Sequence, residues 1–116
     1  FTVTTGEVSA ITENSAKIGG QTIVTDRTTI ETTGFVYSLS GDPKLHHDGV
    51  SFTEERGVSG YFTSQITGLK PGTQYYIRAY AKGGHNTRYG EVITFRTRTS
   101  GSGEGFDDDG YYDEWE

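Results

Sequence analysis

The chain has 116 residues, enough for one domain and too few for a second. It contains no cysteine, which excludes disulfides, thiol nucleophiles and thiolate metal sites, and no apolar run approaches the roughly 20 residues that carry a helix across a bilayer. The net charge of −6 is unevenly spread: seven acidic residues and no basic one follow Thr99, so ten Lys and Arg elsewhere face nine Asp and Glu, a balance of +1. A near-neutral body with an acidic end would repel phosphate, so nucleic acid is not expected as a partner.

Hydrophobic residues make up only 31% of the chain but aromatics 13%, a composition suited to a thin sandwich cored by Tyr and Phe. No stretch has the period of a helix. Phe1-Thr2-Val3-Thr4-Thr5 echoes Phe95-Arg96-Thr97-Arg98-Thr99; it reads as a lead-in strand, or else as the end of a preceding copy. A first strand is expected over Val8 to Thr12, a turn at Glu13-Asn14, and a second strand from Ser15 to Val24. Gly19-Gly20 interrupts that strand and signals a bulge or a close backbone approach. The polar turn Thr25 to Thr29 leads to a third strand, Thr32 to Ser38, with Phe35 and Tyr37 on one face and Val36 on the other. Ser40 to Gly57 is irregular, with a short edge strand expected at Val50 to Thr53. Gly60 to Ile66 then alternates, with Phe62 and Ile66 on one face.

The most informative stretch follows. Pro71 and Gly72 make Leu69 to Thr73 a tight corner, since Pro presets φ and Gly tolerates a positive one. Tyr75, Ile77, Ala79 and Ala81 then fall on one face of a strand, and Tyr76, Arg78, Tyr80 and Lys82 on the other. One face is apolar enough to be buried and the other polar enough to be wet. Tyr75 stands where a tyrosine corner would hydrogen-bond back to the chain upstream. A turn at Gly83 to Asn86 leads to a last strand, Arg88 to Arg98, with Ile93 and Phe95 inward. About seven short strands with regular turn signals predict an all-β antiparallel sandwich. The expected core is Ile18, Phe35, Tyr37, Phe62, Ile66, Leu69, Tyr75, Ile77, Ala79, Ile93 and Phe95.

The run Leu69-x-Pro71-x-Thr73-x-Tyr75 resembles the loop and sixth strand of fibronectin type III domains. Ser15-Ala16-Lys17-Ile18 resembles their second strand, and Tyr89-Gly90-Glu91 with Phe95 and Thr97 their last. Gly34-Phe35-Val36-Tyr37-Ser38 looks like the bacterial branch, found in surface and secreted proteins. The likeness covers Gly6 to Thr99, leaving 1–5 as lead-in and 100–116 as a Gly/Ser linker with an acidic, aromatic tail. Where the family carries a Trp in its second strand this chain has Gly20, and Phe35 and Tyr37 are expected to fill the space. The resemblance implies an immunoglobulin-like fold and a non-catalytic interaction or spacer module of an exported or cell-surface bacterial protein. Two other readings stay open: a carbohydrate-binding accessory module of a glycan-degrading enzyme or system, and a structural subunit assembling through its tail.

No motif of nucleophilic, phosphate-binding or zinc-hydrolase chemistry is present. Glu54-Glu55 are adjacent and would point to opposite faces of a strand, and His46-His47-Asp48 with His85 do not fix a zinc ligand set. No catalysis, cofactor or metal is therefore expected. Aligning Gly110 with the glycine of an EF-hand loop puts Asp107, Asp109, Asp113 and Glu116 at ligand positions, but Gly105 falls at the first and no helix flanks them. The candidate binding face for a protein or glycan is the outward ladder of Tyr76, Arg78, Tyr80 and Lys82 with Arg96 and Arg98 on the neighbouring strand, unless these residues pair across strands and only stabilise the sheet. Phe106, Tyr111, Tyr112 and Trp115 are candidates for docking the tail onto this face of its own or a neighbouring molecule.

Overall fold

The computed structural model describes residues 1–57 and 59–99, all strands and connections with no helix among them. Two antiparallel sheets form the fold. The smaller has three strands in the order β1 (Thr2–Ser9), β2 (Ala16–Ile23), β6 (Gly60–Ile66). The larger has six: β3 (Ile30–Ser38) and β7 (Gln74–Gly83) pair at its centre. The two-residue strands β4 (Ser51–Phe52) and β5 (Glu55–Arg56) pair with β3, while β8 (Asn86–Tyr89) and β9 (Ile93–Arg96) pair with β7. The sandwich expected from the sequence is the architecture found.

Period-2 alternation places the core between the sheets. Ala16, Ile18 and Ile66 on one side meet Phe35, Tyr75, Ile77, Ala79, Ala81 and Phe95 on the other, all buried. The expected core residues lie in this cluster, with Tyr37, Phe62 and Ile93 packed at its margin; Val3, Ala16 and Ile30 join it unforeseen. The corner also holds: Gly72 has φ +58, and the Lys70 N–H donates to the Tyr75 hydroxyl at 2.8 Å. Thr97 fastens the same corner, its hydroxyl accepting from Thr73 N–H at 2.9 Å and donating to Lys70 O.

Several details differ from the sequence reading. The first strand begins at Thr2 and ends at Ser9, rather than running from Val8 to Thr12, because Thr2 to Thr5 pair with Ile23 to Gly20. The bulge sits on β1 between Thr5 and Val8, and β2 runs through Gly19-Gly20 unbroken. Gly20 is instead a close approach: a Cβ there would lie 3.0 Å from the Phe62 ring and 3.1 Å from the Ala79 Cβ. The Phe62 ring therefore fills the space over Gly20 and tilts against Phe35 at 5.2 Å. Phe35 thus borders the space as expected, whereas Tyr37 does not fill it and stands edge-on to Tyr75 at 6.5 Å.

The last strand is broken in two. From Tyr80 to Ile77 on β7 the chain takes three steps, while its partners run four, from Tyr89 to Ile93, so one residue bulges out. The bulge is stitched to the other sheet. Gly90 N–H donates to Ala79 O at 2.9 Å, Ala79 N–H donates to the Thr5 hydroxyl at 3.0 Å, and Thr5 N–H donates to the Glu91 carboxylate at 3.0 Å. Backbone hydrogen bonds, from its own N–H and then from Thr5, hold the Glu91 carboxyl below the usual carboxylate range. Ala79 is fully buried, so its N–H depends on Thr5. Thr5→Val is expected to cost about 1–3 kcal/mol in denaturant unfolding and Thr5→Ser much less. Equal stability of the two variants would show that water replaces the hydroxyl.

Candidate functional site

The outer face of the larger sheet carries the ladder singled out from the sequence, and the structure corrects it. Tyr80 does not face water: its exposure is 0%, in a second apolar cluster with Val36 and Leu45, flanked by Val50 and Tyr89. The irregular stretch after β3 folds back over this face and roofs it. Thr53 is the clasp. Its N–H donates to Phe35 O at 2.8 Å, its hydroxyl accepts from Phe35 N–H at 2.9 Å, and its carbonyl accepts the Tyr80 hydroxyl at 2.6 Å.

Arg78 is likewise committed within the fold. Its Nε donates to Gly90 O at 2.8 Å and its Nη1 to Asp42 Oδ1 at 2.7 Å, with the guanidinium 4.9 Å from the Tyr89 ring centre. The Tyr89 hydroxyl in turn accepts Leu45 N–H at 3.1 Å. Arg78 thus ties the roof to the bulge, at the floor of a polar recess of about 540 Å³ that Lys44 and Arg88 also line. Tyr76 and Lys82 stay half-buried beside it. Of the six residues expected on one binding face, only Arg96 and Arg98 are exposed. Arg96 donates to Gly72 O and Arg98 to Ile11 O, which places both guanidinium groups at the corner end of the sandwich near Lys70. Among the described residues none of these three cations makes an ion pair.

The other expectations separate cleanly. His46 and His47 are exposed, and no group of three His, Asp or Glu among the described residues could hold a metal ion. Glu55 accepts a hydrogen bond from the Ser64 hydroxyl. Phe106, Tyr111, Tyr112, Trp115 and the acidic set Asp107, Asp109, Asp113 and Glu116 lie outside the described residues. No helix among the described residues is long and apolar enough to cross a membrane.

The outer face of the three-stranded sheet is bare by comparison. Tyr61 is 82% exposed, the largest value among the big apolar side chains described. It stands opposite Gln21, which pairs on its other side with Thr4. In the next row Gly19 pairs with Thr63. Between the rows runs a trough of about 190 Å³, lined by Thr4, Gly6, Gly19, Gln21, Tyr61 and Thr63 with the flank of Phe62 below. The sequence carried the signal: with Phe62 inward, Tyr61 had to point out, and Gly19 lies on the face opposite Gly20.

Several solved structures share this architecture. The sixth fibronectin type III domain of human fibronectin type III domain containing protein 3 superposes with a TM-score of 0.61 at 16% identity, covering 94% of this chain and 92% of that one. The fold is that of a fibronectin type III domain. The first to third fibronectin domains of chicken CNTN1 match at a TM-score of 0.63 and 17% identity, over 80% of this chain and 30% of that three-domain chain. The sensor domain of the anti-sigma factor RsgI4 of Pseudobacteroides cellulosolvens matches at 0.59 and 21% identity, over 84% of this chain and 93% of that one. No family model matches the sequence, and no curated protein does. At these identities the likeness is one of fold.

Within this fibronectin-type frame the roof leaves a chemical signature. Burial above all, then the charges of Glu54, Tyr89 and Glu55, push the Tyr80 hydroxyl from 10.0 up to about 12. A hydroxyl harder to ionise when folded stabilises the fold fully below the unfolded pKa of 10.0 and loses that contribution as pH rises through about 12. Ultraviolet titration is therefore expected to show one of the eight tyrosines ionising only near pH 12, together with unfolding, and Tyr80→Phe is expected to abolish that last step. A titration complete near the ordinary tyrosine value would contradict the burial.

Proposed function

We propose that this chain is a non-catalytic interaction module of an exported or cell-surface bacterial protein, and that the outer face of its three-stranded sheet is the interaction surface. The observation that carries the reading is the asymmetry of the two outer faces. The larger sheet spends its outer face on a second core, closed by Thr53 and Asp42. The smaller sheet leaves Tyr61 standing in water beside an open trough. An exposed aromatic lowers no folding free energy by burial, and Tyr is enriched where partners bind. The fibronectin and sensor domains with this fold support a binding or spacer role. On this reading the module runs from β1 to Thr99, since Thr2 to Thr5 are a paired part of the sandwich rather than a lead-in, and 100–116 are a linker and tail.

The first test compares the native chain with Tyr61→Ala on one array of glycans and peptides. Tyr61→Ala is expected to keep the unfolding midpoint, because the ring is exposed, and to lose the hits of the native chain. Hits that survive the substitution put the surface elsewhere, and an array without hits leaves the chain a spacer.

A second reading concerns the tail, and Lys70, Arg96 and Arg98 favour it. They gather at the end of the sandwich where the described chain stops at Thr99, and seven acidic residues follow. The acidic, aromatic segment around Phe106, Tyr111, Tyr112 and Trp115 would dock there, in its own or a neighbouring copy. This moves the receptor from the sheet face to the corner end. Sedimentation at several concentrations is expected to show association of the full chain that weakens with salt and disappears when the chain is cut after Thr99. Identical behaviour of both chains at low salt would rule the docking out.

A further inference from the structure

The trough on the three-stranded sheet has a chemistry specific enough to name a ligand class. We propose that it binds a neutral sugar ring, one pyranose residue of an oligosaccharide or polysaccharide, stacked on Tyr61 with its edge over Gly19. The proposal rests on the reading of this face as the interaction surface and adds what it recognises.

Gly19 is the first reason. Glycine inside a strand costs stability, and strands tolerate it at a bulge, at a strained φ or where another group comes close to the backbone. On the β6 side the pairing runs without a shift past Gly19, on the other side the β1 bulge between Thr5 and Val8 lies opposite it, and its φ is not positive. A Cβ at Gly19 would meet only the Thr63 methyl at 3.7 Å and Phe62 O at 3.9 Å, both ordinary contacts. Its neighbour Gly20 is different, since a Cβ there would press on Phe62 and Ala79. A side chain at Gly20 would crowd the core, whereas Gly19 has space for one and carries none, which leaves the outer face open there to an approach from outside.

The lining gives the ligand its character. None of the trough residues is charged. Phosphate, an acidic peptide or a uronic acid would find no counter-charge in the lining and one cation beside it, Lys17 in the next row of the same face, too little for a nucleic-acid backbone. An apolar peptide would want several apolar anchors, and the rim offers only Tyr61 above the half-buried flank of Phe62. A mostly apolar lining under one flat aromatic face, with Gln21, Thr4 and Thr63 at the rim, matches a ring with C–H bonds on its face and hydroxyls at its edge. At about 190 Å³ the trough is smaller than the pockets that enclose drug-sized ligands, which suits one ring of a longer chain. A glycan site thereby belongs on the sheet opposite Tyr76 and Tyr80, because Tyr80 is inside.

The test uses the full chain and neutral hexasaccharides of β-1,4-linked glucose, xylose and mannose and of α-1,4-linked glucose, with a polygalacturonate oligomer as the charged control. Chemical-shift perturbation and calorimetry are expected to show at least one neutral oligomer binding, with shifts centred on Gly19, Gln21 and Thr63, and no binding of the control. Tyr61→Ala and Gly19→Val are each expected to weaken it about tenfold or more, with unfolding midpoints no lower than the native chain's, whereas Tyr61→Phe stays within about threefold. Failure of every neutral oligomer to bind overturns the proposal, as does binding that both variants leave unchanged. If Tyr61→Ala abolishes only peptide or anionic hits on the array, the interaction surface stands and the sugar falls.

Discussion

Strand β7 is buried on both sides along its middle, and the rest of the molecule is arranged to make that possible. Ala79 and Tyr80 are neighbours with opposite directions, and both have an exposure of 0%. Ala79 faces the opposing sheet, where Gly20 leaves room for it and for Phe62. Tyr80 faces outward and is covered by the chain's own excursion between β3 and β6. A polar tip in so dry a place must be satisfied, and Thr53 O supplies the acceptor. The double burial also fixes the partner strands. β8 and β9 bulge at Gly90 so that one stretch can pair with β7 while Thr5 reaches across from the first sheet to take the orphaned Ala79 N–H.

Much of this is legible in the sequence where the determining interactions are local. Pro71, Gly72 and Tyr75 announce the corner from Leu69 to Tyr75, and the hydrogen bond that closes it spans only five residues. The inward faces of β2, β3 and β7 follow from period 2 because each has one side on the main core. The outward face of β7 misleads for a physical reason. Tyr and Arg are amphipathic: the same side chains serve a wet ladder or a roofed cluster with satisfied tips. The choice is made by Asp42, Leu45 and Thr53, which lie 36, 44 and 27 residues from their partners Arg78, Tyr89 and Tyr80. No period in the sequence between Ser40 and Gly57 announces that it will cover anything.

The glycine pair shows the same limit from the other direction. Gly19-Gly20 announces that something comes close to the backbone, and the dipeptide alone does not say on which side. The structure assigns the two residues to different faces. Gly20 is filled from within by an aromatic ring that stands where a fibronectin-type core is expected to carry one from the second strand itself. The aromatic mass has moved from β2 to β6, so β2 runs past as bare backbone on both faces. Tyr61 is readable as outward once Phe62 is placed inward, but its importance emerges only when the rival face is seen to be closed.

That division separates stability from recognition. The larger sheet buries apolar side chains on both faces, so substitutions in β7 or in its roof act on folding before they act on anything else. The three-stranded sheet has only its inner face in the core. Its outer positions, Thr4, Gln21, Tyr61, Thr63 and the vacant Gly19, are bound to the fold by little more than backbone pairing. They can therefore change identity at small cost. A shallow site of this kind gives weak affinity for a single ring. Repetition along a polymeric ligand compensates, since each further engagement is intramolecular once the first is made. An open trough on a flat sheet suits such a ligand better than an enclosed pocket would, because a long chain can enter it from the side without being threaded.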